Sequence, residues 1–331
     1  MFDSHRIAAA KHGFSLLDVL VVVSLLSIVL SLTVPSLQKA REAARRNECQ
    51  SHLVQLSQAA LYHRTQHRYF PTAGWGYQWM GDPERGFSRR QPGGWQYNIL
   101  PYIEEQTLHD LGRGLPEAEK RRAGQARAAA AIALFQCPSR GRPETFEPSS
   151  LNTFQNIERP EIVGRCDYAG NAGSQDYVIE SGLMASDLQE PDRTLDEKLH
   201  PNNVHQSGVI FARSEVRQIR DGTSQTYLLG ERHVSYQRYH RGFQTDDDNG
   251  WGVGFDSDSI RTTQMPPQFD FSGVEGDNAH FGGPHLDEFH MTFCDGSFRQ
   301  MAYDIDPAIH FSLGNRADGF PREMLPHASE R

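Results

Sequence analysis

The chain has 331 residues, with 33 Lys and Arg against 42 Asp and Glu, for a formal net charge of −9 at pH 7. An acidic balance of this size argues against general nucleic-acid binding. Its length allows one large domain, or a domain with substantial insertions, beyond any anchor.

Residues 1–13 form a short leader with Arg6 and Lys11, ending Lys11-His12-Gly13. An apolar run from Phe14 to Val34 follows, in which Asp18 is the only charge. At about 1.5 Å rise per residue this run spans roughly the 30 Å hydrocarbon core of a bilayer. An ordinary secretory signal has a shorter apolar region and a small-residue cleavage site, and residues 31–36 make a poor one. A plain signal anchor is the simpler alternative. A lone carboxylate near the start of a hydrocarbon helix is costly, so Asp18 is expected to have a role.

This arrangement resembles the type IV prepilin signal. The resemblance implies cytoplasmic cleavage after Gly13 by a prepilin peptidase and N-methylation of the new amino terminus, Phe14. It also implies pairing of Asp18 with the amino terminus of a neighbouring pilin-like subunit. The family usually carries Glu where this chain has the shorter Asp18. Pro35 falls at mature position 22 (35 minus 13), where pilin helices commonly carry a proline that kinks or locally melts the helix. Orientation is contested by charge, because Lys39, Arg41, Arg45 and Arg46 lie beyond the far end, offset by Glu42 and Glu48. Cytoplasmic processing requires the leader inside, with the remainder on the extracytoplasmic side of the cytoplasmic membrane. The basic cluster at residues 39–46 is expected to form a solvated helix face or to touch anionic lipid headgroups.

After Pro35 the chain is rich in helix formers, and Leu53, Leu56 and Ala60 continue an apolar face. Pro71 marks the expected end. Four regions follow: a leader at 1–13, a transmembrane helix at 14–35, a stem helix at 36–69, and a β-rich head with long loops at 70–331. The fold class is α+β, a pilin-like helix packed on a globular head. Within the head, helices are expected from Leu100 to Leu111 and over 116–134, and strands at 207–213, 226–232 and 251–255. Residues 289–294 and 297–301 should pair as a hairpin across a tight primed turn at Asp295-Gly296.

Several stretches together resemble a large bacterial family of prepilin-like proteins of unknown function, marked by the N-terminal methylation motif and a C-terminal H-x9-D-G motif. They are residues 40–46, Leu100-Pro101-Tyr102, Cys137-Pro138-Ser139, residues 167–173, and residues 221–226 running to Gly230-Glu231. At the end, nine residues separate His285 from Asp295-Gly296-Ser297. Leu286-Asp287-Glu288 departs from the family's Pro-Gly-Gly after the histidine.

His280, His285 and His290 recur every five residues, which fits neither a helix face nor a strand face, so they need not converge. His285 is expected to brace the final hairpin through hydrogen bonds, ahead of any transition-metal role; no metal site is assigned. The loop Asp246-Asp247-Asp248-Asn249-Gly250 suits calcium, but lacks the full EF-hand spacing, and an exposed acidic loop is the favoured reading. No other cofactor is expected. No G-x-S-x-G elbow or phosphate-binding glycine fingerprint occurs, so an enzyme is not expected.

Four cysteines allow three disulfide connectivities. The family resemblance covers Cys49 and Cys137 but not Cys166 and Cys294, which implies the pairs Cys49–Cys137 and Cys166–Cys294, with free buried thiols as the alternative. The functional expectation is a subunit that assembles with itself or other pilin-like subunits into a pilus, pseudopilus or secretion-linked filament. An anchored adhesive or ligand-binding module and a tethered hydrolase are the alternatives.

Overall fold

The structure, a computed structural model, describes residues 16–149, 153–184, 186–187, 198–199, 205–211, 213–240, 247–273 and 279–319. Gly13, Phe14 and Asp246 lie outside the described residues, as does the side chain of Asp18. The chain divides into two units, residues 1–45 and 46–331.

Helix α1 runs from Leu16 to His67, with Pro35 inside it. No break interrupts the helix at Pro35, although proline removes one ladder hydrogen bond there. In the first unit, every large apolar side chain from Leu16 to Leu37 is exposed. The Oγ atoms of Ser24, Ser27, Ser31 and Ser36 donate to carbonyls one turn back, so these polar groups are satisfied within the helix. In the second unit, Cys49, Leu53, Leu56, Ala59, Ala60 and His63 form one buried face at three- and four-residue steps. Arg68 then takes a left-handed φ of 72°, and the helix ends.

The head is built on a five-stranded sheet in the order β5-β3-β4-β8-β9. These strands are β3 (Tyr168–Gly173), β4 (Tyr227–Glu231), β5 (Ile260–Thr262), β8 (Glu288–Phe293) and β9 (Phe298–Ala302). The β3–β5 pair is parallel, and the other pairs are antiparallel. Two small two-stranded sheets flank it: β1 (Thr145–Phe146) with β2 (Val163–Gly164), and β6 (Gln268–Phe269) with β7 (Gly282–Gly283). The head also carries helices α2 (Trp95–Ile99), α3 (Gln106–His109), α4 (Glu117–Ala128) and α5 (Pro307–Gly314), together with short 3-10 turns that include Leu100–Tyr102 and Ala133–Phe135. Asp306 caps α5, its carboxylate accepting from the Ala308 and Ile309 N–H groups. The main core gathers the buried face of α1, Trp95, Phe135, Tyr168, Leu228, Leu229 and Trp251.

Four local expectations are corrected. The helix over 116–134 stops at Ala128, because the Ala130 carbonyl turns away to accept the Trp251 indole N–H at 2.9 Å. Alanine propensity loses there to burial of an aromatic ring. The segment from 100 to 111 is not one helix but a 3-10 turn followed by α3. Residues 207–211 and 251–255 are not strands: Gly208 and Ile210 donate to Ala172 and Asn171 carbonyls from a turn, and Val253 makes a single bridge to Met80.

The hairpin forms, but not with a primed turn. The Gly296 N–H donates to the Phe293 carbonyl at 2.9 Å, and Phe293 N–H to the Ser297 carbonyl at 2.9 Å. Gly296 has φ 89°, whereas Asp295 is not in the left-handed region. This is a longer turn closed by a left-handed glycine, the geometry of a bulged hairpin loop.

Candidate functional site

The final residue of β4, Glu231, carries a carboxylate into the interior at the end of the otherwise apolar or small run Tyr227-Leu228-Leu229-Gly230. Its Oε2 accepts the His290 backbone N–H at 2.9 Å, across the β4–β8 pairing. Its Oε1 lies 3.2 Å from His285 Nε2 and 3.4 Å from His290 Nδ1. The two imidazole centroids are 4.7 Å apart. All three side chains are fully buried. Burial alone would raise the Glu231 carboxyl, but His290 and His285 beside it hold it below the usual range. Burial pulls His290 down, and Glu231 with Glu288 overturns that, raising it to about 9.

His285 and His290 therefore converge, contrary to the spacing argument. His285 sits in the turn between β7 and β8, where neither helical nor strand periodicity applies. His280 departs, its Nδ1 meeting the Pro266 carbonyl at 2.5 Å. Glu288, in the stretch that departs from the family's Pro-Gly-Gly, pairs with Arg46 at 3.1 Å.

Against this group lies the Cys49–Cys137 disulfide, with Cα atoms 4.9 Å apart and the two residues 88 positions apart in sequence. Cys137 Sγ is 3.8 Å from Glu231 Oε1. Cys166 and Cys294 are not paired with each other: both are free and buried, near the carbonyls of Tyr168 and Tyr227 respectively. The Cys166 thiol is held by a contact two residues along its own segment and the Cys294 thiol by a contact across to β4, and burial pushes Cys166 up to about 12.

Behind Cys137 stands a buried ion network. Asp167 accepts the Cys137 N–H at 2.6 Å and pairs with Arg140 and Arg142 at 2.8 and 2.5 Å. Asp270 binds Arg140 at 2.9 Å and the Tyr239 hydroxyl at 2.5 Å. Asp247 is taken by Arg142 and Arg165 at 2.6 and 3.4 Å, and by Arg232. Burial would raise Asp167, yet Arg142 and Arg140 hold it low. Asp247 is thus turned to guanidinium groups, while Asp248 lies with Asp256 and Asp258, their carboxylate oxygens within 4.8 Å of one another. Burial first, then Asp248, pushes Asp256 up to about 7. A cleft of about 420 Å3 lies elsewhere on the head, lined by Arg217, Gln218, Arg220, Arg316 and Ala317.

Sequence reasoning missed Glu231 and the arginines as site residues. The available signal was a carboxylate closing an apolar strand, since such a charge needs partners. Asp295 and Gly296 shape the hairpin turn and do not enter the cluster; Asp295 Oδ1 accepts from Ser297.

A family model described as SBP_bac_10, protein of unknown function (DUF1559), matches residues 38–308. The chain belongs to the DUF1559 family. Every motif stretch from residues 40–46 to Ser297 lies within the matched span, whereas Gly13, Phe14 and Asp18 precede it. The type II secretion system core protein G of Klebsiella pneumoniae is 32% identical over 125 residues, 33% of this chain and 89% of that protein. No solved structure matches. Family and relative together uphold the prepilin-like kinship read from the motifs.

Proposed function

We propose that this DUF1559 chain is a membrane-anchored, pilin-like subunit that assembles non-covalently into a pilus, pseudopilus or secretion-linked filament. The observation that supports it best is helix α1. Its first part exposes every large apolar side chain and is long and apolar enough to cross a membrane. Its second part supplies one face of the head's core. The likeness to a secretion-system core protein points the same way. In this reading a prepilin peptidase cuts after Gly13, Phe14 becomes N-methylated, and membrane lipid surrounds residues 14–35. The head lies on the extracytoplasmic side, and the chain acts structurally, without catalysis and without nucleic acid.

Asp18 pairs with the amino group of an incoming neighbour, which relieves the cost of a carboxylate in hydrocarbon. Asp18→Ala should leave insertion and leader cleavage intact and abolish self-association, and Asp18→Glu should restore it. Crosslinking in native membranes, with mass spectrometry of the N-terminal peptide, tests this. Equal crosslinked ladders from wild type and Asp18→Ala would favour a second reading, an anchored ligand-binding head, for which the arginine-lined cleft is one surface among the described residues.

A further inference from the structure

We propose that Cys49, Cys137, Glu231 and His285 form a closed Zn2+ site when the Cys49–Cys137 disulfide is reduced. One ligand atom from each of the four, two Sγ, a carboxylate oxygen and an imidazole nitrogen, lie within 4.8 Å of one another. Two sulfurs, one nitrogen and one oxygen suit four-coordinate zinc. With Zn–S bonds of about 2.3 Å, tetrahedral thiolates sit about 3.8 Å apart. Cα atoms 4.9 Å apart serve either a sulfur–sulfur bond or two thiolates on one ion, with side-chain rotation making most of the difference.

The four ligands come from distant parts of the chain that the fold brings together: α1, the segment after the 133–135 turn, the end of β4, and the turn before β8. Outer contacts aim them. The His290 backbone N–H fixes Glu231 Oε2, leaving Oε1 toward His285 and Cys137. Asp167 holds the Cys137 N–H at 2.6 Å. Such contacts are what orient metal ligands. Thiolates also favour zinc over harder ions.

The chemistry balances with a dithiol as reductant. The dithiol gives two electrons and two protons to the protein disulfide, yielding two cysteine thiols and its own disulfide. Zn2+ then displaces both thiol protons, which leave to the buffer, and the imidazole proton moves from Nε2 to Nδ1 so that Nε2 can coordinate. In the oxidised protein Glu231 Oε1 and His285 Nε2 meet directly; in the reduced protein the ion would stand between them.

The test uses the full chain in detergent micelles. It is reduced with dithiothreitol under argon, desalted, exposed to Zn2+, and its metal content measured. Co2+ in place of Zn2+ supplies a spectroscopic signature. The reduced chain should take up about one ion, with the visible bands and thiolate charge transfer of tetrahedral cobalt, and the oxidised chain none. Cys49→Ser and His285→Gln should weaken binding by more than the roughly 10- to 100-fold that losing an outer contact costs. The double variant Cys166→Ala/Cys294→Ala should bind as wild type. If reduction unfolds the chain, Zn2+ should refold it, as followed by circular dichroism. No uptake by a folded reduced chain, no refolding with Zn2+, or equal uptake by Cys49→Ser/Cys137→Ser would overturn the site. None of these outcomes bears on filament assembly.

Discussion

Glu231 Oε1 lies 3.2 Å from His285 Nε2, both side chains fully buried, so the turn preceding the last hairpin is tied to the sheet's central strand. In the disulfide-bonded protein, Glu231→Ala should cost about 3 to 5 kcal/mol, because it strands the partners of a buried pair. His285→Ala should cost about 1 to 3 kcal/mol. Denaturant titration of the full chain in micelles measures both. A His285→Ala protein with unchanged stability would show that the contact does not brace the hairpin.

Gly296→Val should destabilise the head by about 1 to 3 kcal/mol. The backbone there is left-handed at φ 89°, and a Cβ would stand 2.8 Å from Leu61 Cδ1 on α1. Gly296→Asn should cost less, since Asn tolerates the left-handed region better than a β-branched residue. Equal melting temperatures for the two variants would contradict the conformational argument.

His63 and His310 make stability fall in acid. Burial, then His67, lowers His63 to about 3, and burial, then His280, lowers His310 to about 3. Above the ordinary histidine value of 6.5 both states are neutral; between 6.5 and 3 the unfolded chain binds protons that the folded chain refuses. Each group thus removes about 1.4 kcal/mol per pH unit as pH falls through that window. His310 packs among the Tyr227, Phe281 and Phe289 rings, so His310→Leu keeps an apolar contact while removing the titration. Stability measured from pH 7 to 4 should fall less steeply in the variant.

Asp256 acts in the opposite direction. Its folded value of about 7 exceeds the ordinary 3.8, so the folded chain holds a proton that the unfolded chain releases. The contribution is full below 3.8 and is lost as pH rises toward 7. Asp256→Asn should therefore gain on wild type as pH rises from 5 to 8. A constant difference between the two proteins across that range would mean that Asp256 is ionised when folded.

The sequence alone determined the long N-terminal apolar helix and its continuation into the core of the head. An apolar run from residue 14 to 34 with one charge, then Leu53, Leu56 and Ala60 at helical steps, suffices because both depend on local periodicity. The Asp-Gly turn was legible as a hairpin for the same reason, though not its type, which depends on the register of β8 against β9. Only the tertiary structure decided the site. Glu231, His285, Cys49 and Cys137 are separated by tens to hundreds of residues along the chain, and His285 lies in a turn without periodicity. Pairing of β4 with β8 and burial of one face of α1 bring them together, because a buried carboxylate is stable only beside donors and cations, wherever in the chain those arise.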